Sequence, residues 1–128
     1  MDYVTDTHSL VWYFTEDTRL SNKALAAFES STVDGTIFVP AVVLAEIMFI
    51  SKKGRISLSF EDTIKKIEES ENFQIAQLTV DILSIADKIE VELEMHDKLI
   101  VATAKFYEAT LISKDENIIE SGVVSTVW

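Results

Sequence analysis

Four carboxylates in this chain stand where solvation alone is a poor account of them: Asp6, Glu46, Asp97 and Asp115. Glu46 is the hardest to explain blandly. It is the only charged residue in Ala41-Val-Val-Leu-Ala-Glu-Ile-Met-Phe-Ile50. A helix made from that stretch is apolar on all faces and is expected to be largely buried. A buried, unpaired carboxylate costs several kcal/mol, roughly, unless it neutralises or finds a cation. The nearby sequence offers Glu46 no obvious partner. Asp6, Asp97 and Asp115 fall where predicted strands or helices begin or end. If the fold gathers the four, they form an all-oxygen ligand set, which suits Mg²⁺ or Mn²⁺.

Each acid also has a structural alternative. Asp6 and Asp97 are natural helix N-caps. Ser113-Lys-Asp-Glu116 matches a capping box, so Asp115 there serves only a helix start. For Glu46 the alternative is a salt bridge to a distant Arg or Lys.

Other chemistries are disfavoured by what is missing. The two histidines, His8 and His96, are far apart and form no i, i+4 pair, which argues against zinc; both read as local residues of helix starts. Only Gly35, Gly54 and Gly122 occur, so there is no glycine-rich phosphate loop, and no Gly-x-Ser-x-Gly elbow is present. A phosphoaspartyl phosphatase would need a second Asp at position 8, which is His8. A phospho-receiver would need an accepting Asp after a later strand, but the second strand ends in Val39-Pro40. Trp12, Phe14 and Phe106 read as core rather than stacking platforms. Lys52, Lys53 and Arg55 form the densest basic cluster, either a solvated helix end or a substrate-phosphate contact.

The elements that must position these residues alternate between short β-type runs and helical stretches. Strands are predicted at Met1–Thr5, Thr36–Val39, Phe73–Leu78, Thr110–Ser113 and Val123–Val127. Helices are predicted over His8–Phe14, from an N-cap at Ser21 to about Ser31, and from a first turn at Pro40 to Lys52-Lys53-Gly54. Pro suits a first turn, and Lys with Gly suits an end. Further helices run from a cap at Ser59 to Ser70, and from Thr79 along a face of Ile82, Ile85, Ala86, Ile89 and Leu93. Another opens at His96-Asp97 with Leu99, Ile100, Thr103, Ala104 and Tyr107 inward, and a short one spans Lys114–Glu120. Asp34-Gly35 marks a turn. Alternating strands and helices imply a parallel sheet covered on both faces. Ligands in such sheets bind at the carboxyl ends of the strands. Asp6 and Asp115 follow the first and fourth strands, so all four acids converge if this topology holds.

Composition sets the outer bounds. A chain of 128 residues with 48% hydrophobic content suits one domain, residues 1–128, with one core. The formal charge of −11, from 11 basic and 22 acidic residues, disfavours non-specific adhesion to nucleic acid or anionic membrane. It does not exclude a nucleic-acid substrate, because bound cations or a local basic patch reverse the field near a site. No apolar run approaches a membrane span, and Met1–Asp6 does not read as a secretory leader. The absence of cysteine excludes thiolate sites and fits a cytoplasmic protein.

Taken in order, these segments resemble the PIN-domain ribonucleases, specifically the VapC-type toxins of toxin–antitoxin pairs, over essentially the whole chain. Asp6-Thr7-His8 followed by Trp12 looks like the opening motif. Ala45-Glu46-Ile47 and Lys53-Gly54-Arg55-Ile56 look like the central Glu helix and its turn. His96-Asp97-Lys98-Leu99-Ile100-Val101-Ala102-Thr103-Ala104 is similar to the family's most recognisable segment, with Lys98 where Arg is common. Leu111-Ile112-Ser113-Lys114-Asp115 looks like the closing segment, with Ser where Thr is frequent. The resemblance implies an α/β domain with a five-stranded parallel sheet in the order 3-2-1-4-5. It implies a Mg²⁺- or Mn²⁺-dependent endoribonuclease in which Asp6, Glu46, Asp97 and Asp115 form the acidic cluster and Ser113 supports it. Metal would activate water for in-line attack on the scissile phosphate. A homodimer and a cognate antitoxin, whose extended tail crosses the active site, are also implied. The alternatives are a PIN-like interaction module without activity, and a nuclease acting on DNA or structured RNA.

Overall fold

The computed structural model describes residues 1–30 and 34–128. The predicted end of the second helix at Ser31 lies outside the described residues. Five strands, β1 (Tyr3–Thr5), β2 (Ile37–Pro40), β3 (Phe73–Ala76), β4 (Thr110–Ile112) and β5 (Thr126–Val127), form one sheet. Every pairing is parallel, and the order is β3-β2-β1-β4-β5, as the resemblance implies. The central strand β1 sets Tyr3 and Val4 opposite Ile37 and Phe38 on one side. On the other it sets Tyr3, Val4 and Thr5 opposite Thr110, Leu111 and Ile112. The chain therefore winds outward through β2 and β3, then returns to the far side of β1. That reversal between β1 and β4 opens a crevice at their carboxyl ends, the general ligand position in open parallel sheets.

The helices are α1 (Thr7–Phe14), α2 (Asn22–Ser30), α3 (Ala41–Lys52), α4 (Phe60–Glu69), α5 (Val80–Asp87), α6 (Met95–Tyr107) and α7 (Glu116–Ser121). They cover the sheet on both faces: all four residues of β2 are buried, which a strand achieves only when both faces are covered. Val4, Val39, Val43, Ile47, Ile100 and Leu111 make the centre of the core. Tyr13 stacks on Phe28, and Phe38 on Tyr107, closing it at either side. No helix among the described residues is long and apolar enough to cross a membrane.

Several expected boundaries move. α3 is not buried all round. Val43, Leu44 and Ile47 face the core, whereas Ala45 and Phe49 are exposed, Phe49 by 61%. Pro40 is the last residue of β2 and the N-cap of α3, not part of its first turn. The far end of α3 closes as a Schellman motif: the Arg55 amide donates to the Ile50 carbonyl and the Gly54 amide to the Ser51 carbonyl, with Gly54 at φ 70°. α5 stops at Asp87 instead of running on to Leu93. Ile89 is nevertheless buried in the segment that follows. A continued helix would stack Asp87, Glu90 and Glu94 at i, i+3 and i, i+4 spacing, where like charges repel.

Candidate active site

Asp6 leaves β1 and caps α1. Its Oδ1 accepts from the Ser9 amide at 3.0 Å. The Asp6 amide and the Ser9 hydroxyl both donate to the Ile112 carbonyl at 3.3 Å, locking this junction to the end of β4. Burial raises the Asp6 pKa; hydrogen bonds from Ser9 and Ser113 oppose the rise.

Glu46 sits in the second turn of α3, half-buried, and it has a partner after all. The Thr7 hydroxyl donates to Glu46 Oε1 at 2.6 Å. Thr7 is itself buried, at the first position of α1. The expectation of a deeply buried, partnerless carboxylate is therefore corrected: a neutral hydroxyl orients Glu46 and leaves its charge uncompensated. Among the described residues, no Lys or Arg forms an ion pair with Asp6, Glu46, Asp97 or Asp115.

Asp97 is the third residue of α6, not its cap. Glu94 holds the cap position without a side-chain hydrogen bond. No described residue donates a hydrogen bond to the Asp97 carboxylate, so capping does not account for it. Desolvation, followed by the charges of Asp115, Glu94, Asp6 and Glu46, lifts its pKa to about 6. Those perturbers include the other three acids of the predicted set.

Asp115 is the true N-cap of α7. Its Oδ1 accepts from the amides of Asn117 and Ile118 at 2.9 and 3.2 Å. The box expected from Ser113 to Glu116 does not form. Ser113 is wholly buried, and its Oγ instead accepts from the Asp115 amide at 3.1 Å. Ser113 thereby touches the settings of both Asp6 and Asp115. Because the cap needs only an acceptor, Asp115→Ala is expected to lose about 1 kcal/mol more stability than Asp115→Asn. Equal urea midpoints for the two variants would contradict this assignment.

The four acids line one cavity of about 620 Å³ at the crevice between β1 and β4, with Glu94 and Glu116 on the same wall. Lys52, Lys53 and Arg55 do not line it; they are exposed at the far end of α3. The cavity's lysine and arginine are Lys114 and Arg19. Trp12 and His8 line it too. Trp12 and Phe14 pack against the core as expected, Trp12 serving the cavity wall as well, whereas Phe106 is 41% exposed and belongs to the surface. His96 does not line the cavity, but it pairs at 3.0 Å with Glu94, which does. Among the described residues, no three His, Asp or Glu side chains stand close enough together to hold a metal ion as placed. The donor chemistry nonetheless fits a hard divalent cation: oxygen donors only, mutual repulsion, and no cation spent on them.

Thr7, Arg19, Lys114 and Glu94 were not singled out from sequence. Thr7 and Lys114 had a signal, since each adjoins a singled-out acid. Arg19 and Glu94 depend on loop paths that periodicity does not reveal.

Comparison with known proteins gives the same frame. Residues 3–122 match the PIN domain family model. No curated protein matches the chain at a significant level. Among solved structures, VapBC2 from Rickettsia felis, bound to a DNA fragment from its promoter, superposes with a TM-score of 0.73 at 17% identity, covering 98% of this chain and 97% of that one. A toxin–antitoxin complex from Klebsiella pneumoniae gives 0.69 at 20% identity, with coverage of 97% and 96%. VapC20 from Mycobacterium tuberculosis, described as a sarcin-ricin loop cleaving toxin, gives 0.66 at 14% identity over the full length of both chains.

Proposed function

Because this chain belongs to the PIN-domain family, we propose that it is a divalent-metal-dependent endoribonuclease and the toxin of a toxin–antitoxin pair. One observation carries the proposal: four carboxylates from four separate segments line a single cavity at the strand ends, with no ion pair to a Lys or Arg among the described residues. The toxin–antitoxin complexes among similar structures support an antitoxin partner. A homodimer and a cytoplasmic location belong to the same proposal.

Asp6, Glu46 and Asp97 would hold Mg²⁺ or Mn²⁺, with Asp115 as a further ligand or a group orienting water. When bound, such a cation supplies Lewis-acid polarisation of the scissile phosphate and a more acidic water. The chain's own residues do the positioning. Ser9 and Ser113 steer the Asp6 carboxylate, and Thr7 fixes one oxygen of Glu46, which lines the cavity. The Asp115 carboxylate is pinned by two helix amides. Thr7→Val is expected to slow cleavage roughly tenfold or more, as losing a group that orients a ligand does. Unchanged rates would reduce that bond to local packing.

The decisive assay is cleavage of total RNA with magnesium, wild type against Asp6→Asn. Wild type should cleave, and the variant should not. Equal cleavage by both would place the activity elsewhere. Cleavage of DNA only, or of no nucleic acid, would replace this function with one of the alternatives.

A further inference from the structure

A site with six acids on its wall repels a polyanion, and the chain as a whole carries −11. Something at the cavity must reverse the field for a phosphodiester backbone to enter. Two cations stand there, and one aromatic residue holds both. Arg19 Cζ lies 5.1 Å from the centroid of the Trp12 ring, and Lys114 Nζ lies 6.0 Å from it. Trp12 is in turn braced by Trp128 and His8, whose rings lie 5.8 and 5.9 Å away.

The two cations are prepared differently. Arg19 Nε and Nη2 donate to the two oxygens of Asp17 at 3.1 and 2.7 Å. That pairing occupies one edge of the guanidinium and leaves the Nη1 edge of the fork free for a phosphate. The side chain is 67% exposed, so this edge is accessible. Lys114 is exposed and forms no ion pair or hydrogen bond among the described residues. Both are tied to the acids by short stretches of chain. Lys114 directly precedes Asp115, and Trp12 shares α1 with the Asp6 cap. An indole that gathers two cations beside a carboxylate cavity gains little for the fold, because exposed cation–π contacts contribute about 0.5–1 kcal/mol.

Resting on the endoribonuclease reading, we propose that Arg19 and Lys114, held on Trp12, form a clamp for the RNA phosphates flanking the scissile bond. Trp12 and Asp17 are positioning residues of the clamp. The exposed Lys52–Arg55 cluster lies off the cavity and is not part of it.

The test is binding of a labelled single-stranded ten-nucleotide oligoribonucleotide, followed by anisotropy across a potassium chloride series in an Asp97→Asn background that does not turn over. Lys114→Ala breaks no ion pair, so its fold is expected to be intact. It should weaken binding roughly tenfold and flatten the slope of log K against log salt by about 0.7, the value for one lost single-strand phosphate contact. Arg19→Ala should do the same, and Arg19→Lys should restore the slope but only part of the affinity, because the fork is lost. Lys52→Ala should change neither quantity. In the active protein, Lys114→Ala should raise KM roughly tenfold with kcat nearly constant. Trp12→Leu should act in the same direction, and Trp12→Phe should recover part of the loss. Unchanged slopes and KM for Lys114→Ala and Arg19→Ala, in a protein that does bind and cleave RNA, would overturn the clamp alone. No RNA binding and no magnesium-dependent cleavage by the parent would overturn the endoribonuclease reading and the clamp with it.

Discussion

Asp97→Asn is expected to reduce magnesium-dependent cleavage roughly 100-fold or more, while making the metal-free protein more stable at neutral pH. The two effects share one cause. Burial and four neighbouring acids hold the Asp97 carboxyl at about 6, against an ordinary 3.8. The folded state therefore binds this proton more tightly than the unfolded chain does. The associated stability is fully present below about pH 4 and is lost as the pH rises to about 6. At pH 7 the ionised group is a net burden on the fold. The amino end of α6 favours a negative charge there by a few tenths of a kcal/mol, roughly. Repulsion and desolvation outweigh this, as the direction of the shift shows. Because Asp97 is half-exposed, solvent screening leaves about 1 kcal/mol to be gained by removing the charge. Asn accepts the same space, and the Asp97 carboxylate accepts no hydrogen bond from a described residue, so nothing offsets the gain. Urea unfolding of both proteins at pH 7 and pH 5 in chelator checks this. The variant should be the more stable at pH 7, and the difference should shrink by pH 5. A variant less stable at both pH values would show that Asp97 is a structural acid.

The separation of effects matters because it distinguishes functional from structural acids within one site. Under the proposed function Asp115 and Asp6 would do both jobs, since their carboxylates also cap α7 and α1. Asp97 and Glu46 cap nothing. Substitution at those two positions isolates the cost of gathering charge, and substitution at the capping acids mixes that cost with a lost helix start.

How far this was legible from the sequence depends on the range of the signal. Alternating strands and helices, with Ser59 and Thr79 as real caps, set the architecture, because those signals are local. The order of strands came from resemblance, since parallel pairings join segments far apart in sequence. Glu46 shows where local reasoning fails. Its partner Thr7 is 39 residues away and belongs to another helix, and no property of α3 announces it. The apolar run around Glu46 likewise overstated burial, because a helix on the surface of a small domain exposes one side whatever its composition. The Ser113 capping box failed by a register of two: α7 starts at Glu116, so the amides to be capped are those of Asn117 and Ile118, which Asp115 reaches, while the buried Ser113 hydroxyl takes the Asp115 amide. The basic cluster at Lys52–Arg55 drew attention by density, whereas the cations that line the cavity, Arg19 and Lys114, are isolated in sequence and meet only in space, beside Trp12.

Magnesium at millimolar concentration is expected to raise the melting temperature on the order of 8–13 °C. A ligand present at about 100 times its dissociation constant stabilises by roughly 2.7 kcal/mol, and each kcal/mol moves a domain of this size by about 3–5 °C. The gain is expected because the acids repel one another until a cation joins them. A chain of net charge −11 also responds to salt in general. The control is therefore sodium chloride at matched ionic strength, and only the excess shift counts. Glu46→Gln and Asp97→Asn should each remove most of that excess. Glu61→Gln, an exposed acid in the first turn of α4, should retain it. The excess should also fade between pH 7 and pH 5, because Asp97 must lose its proton before it can bind metal. If Glu46 instead served a buried cation, Glu46→Gln would destabilise the protein in chelator and leave the magnesium response intact. A shift no larger than that of sodium, or one equally present in Asp97→Asn, would mean that the cavity gathers its carboxylates for something other than a metal ion.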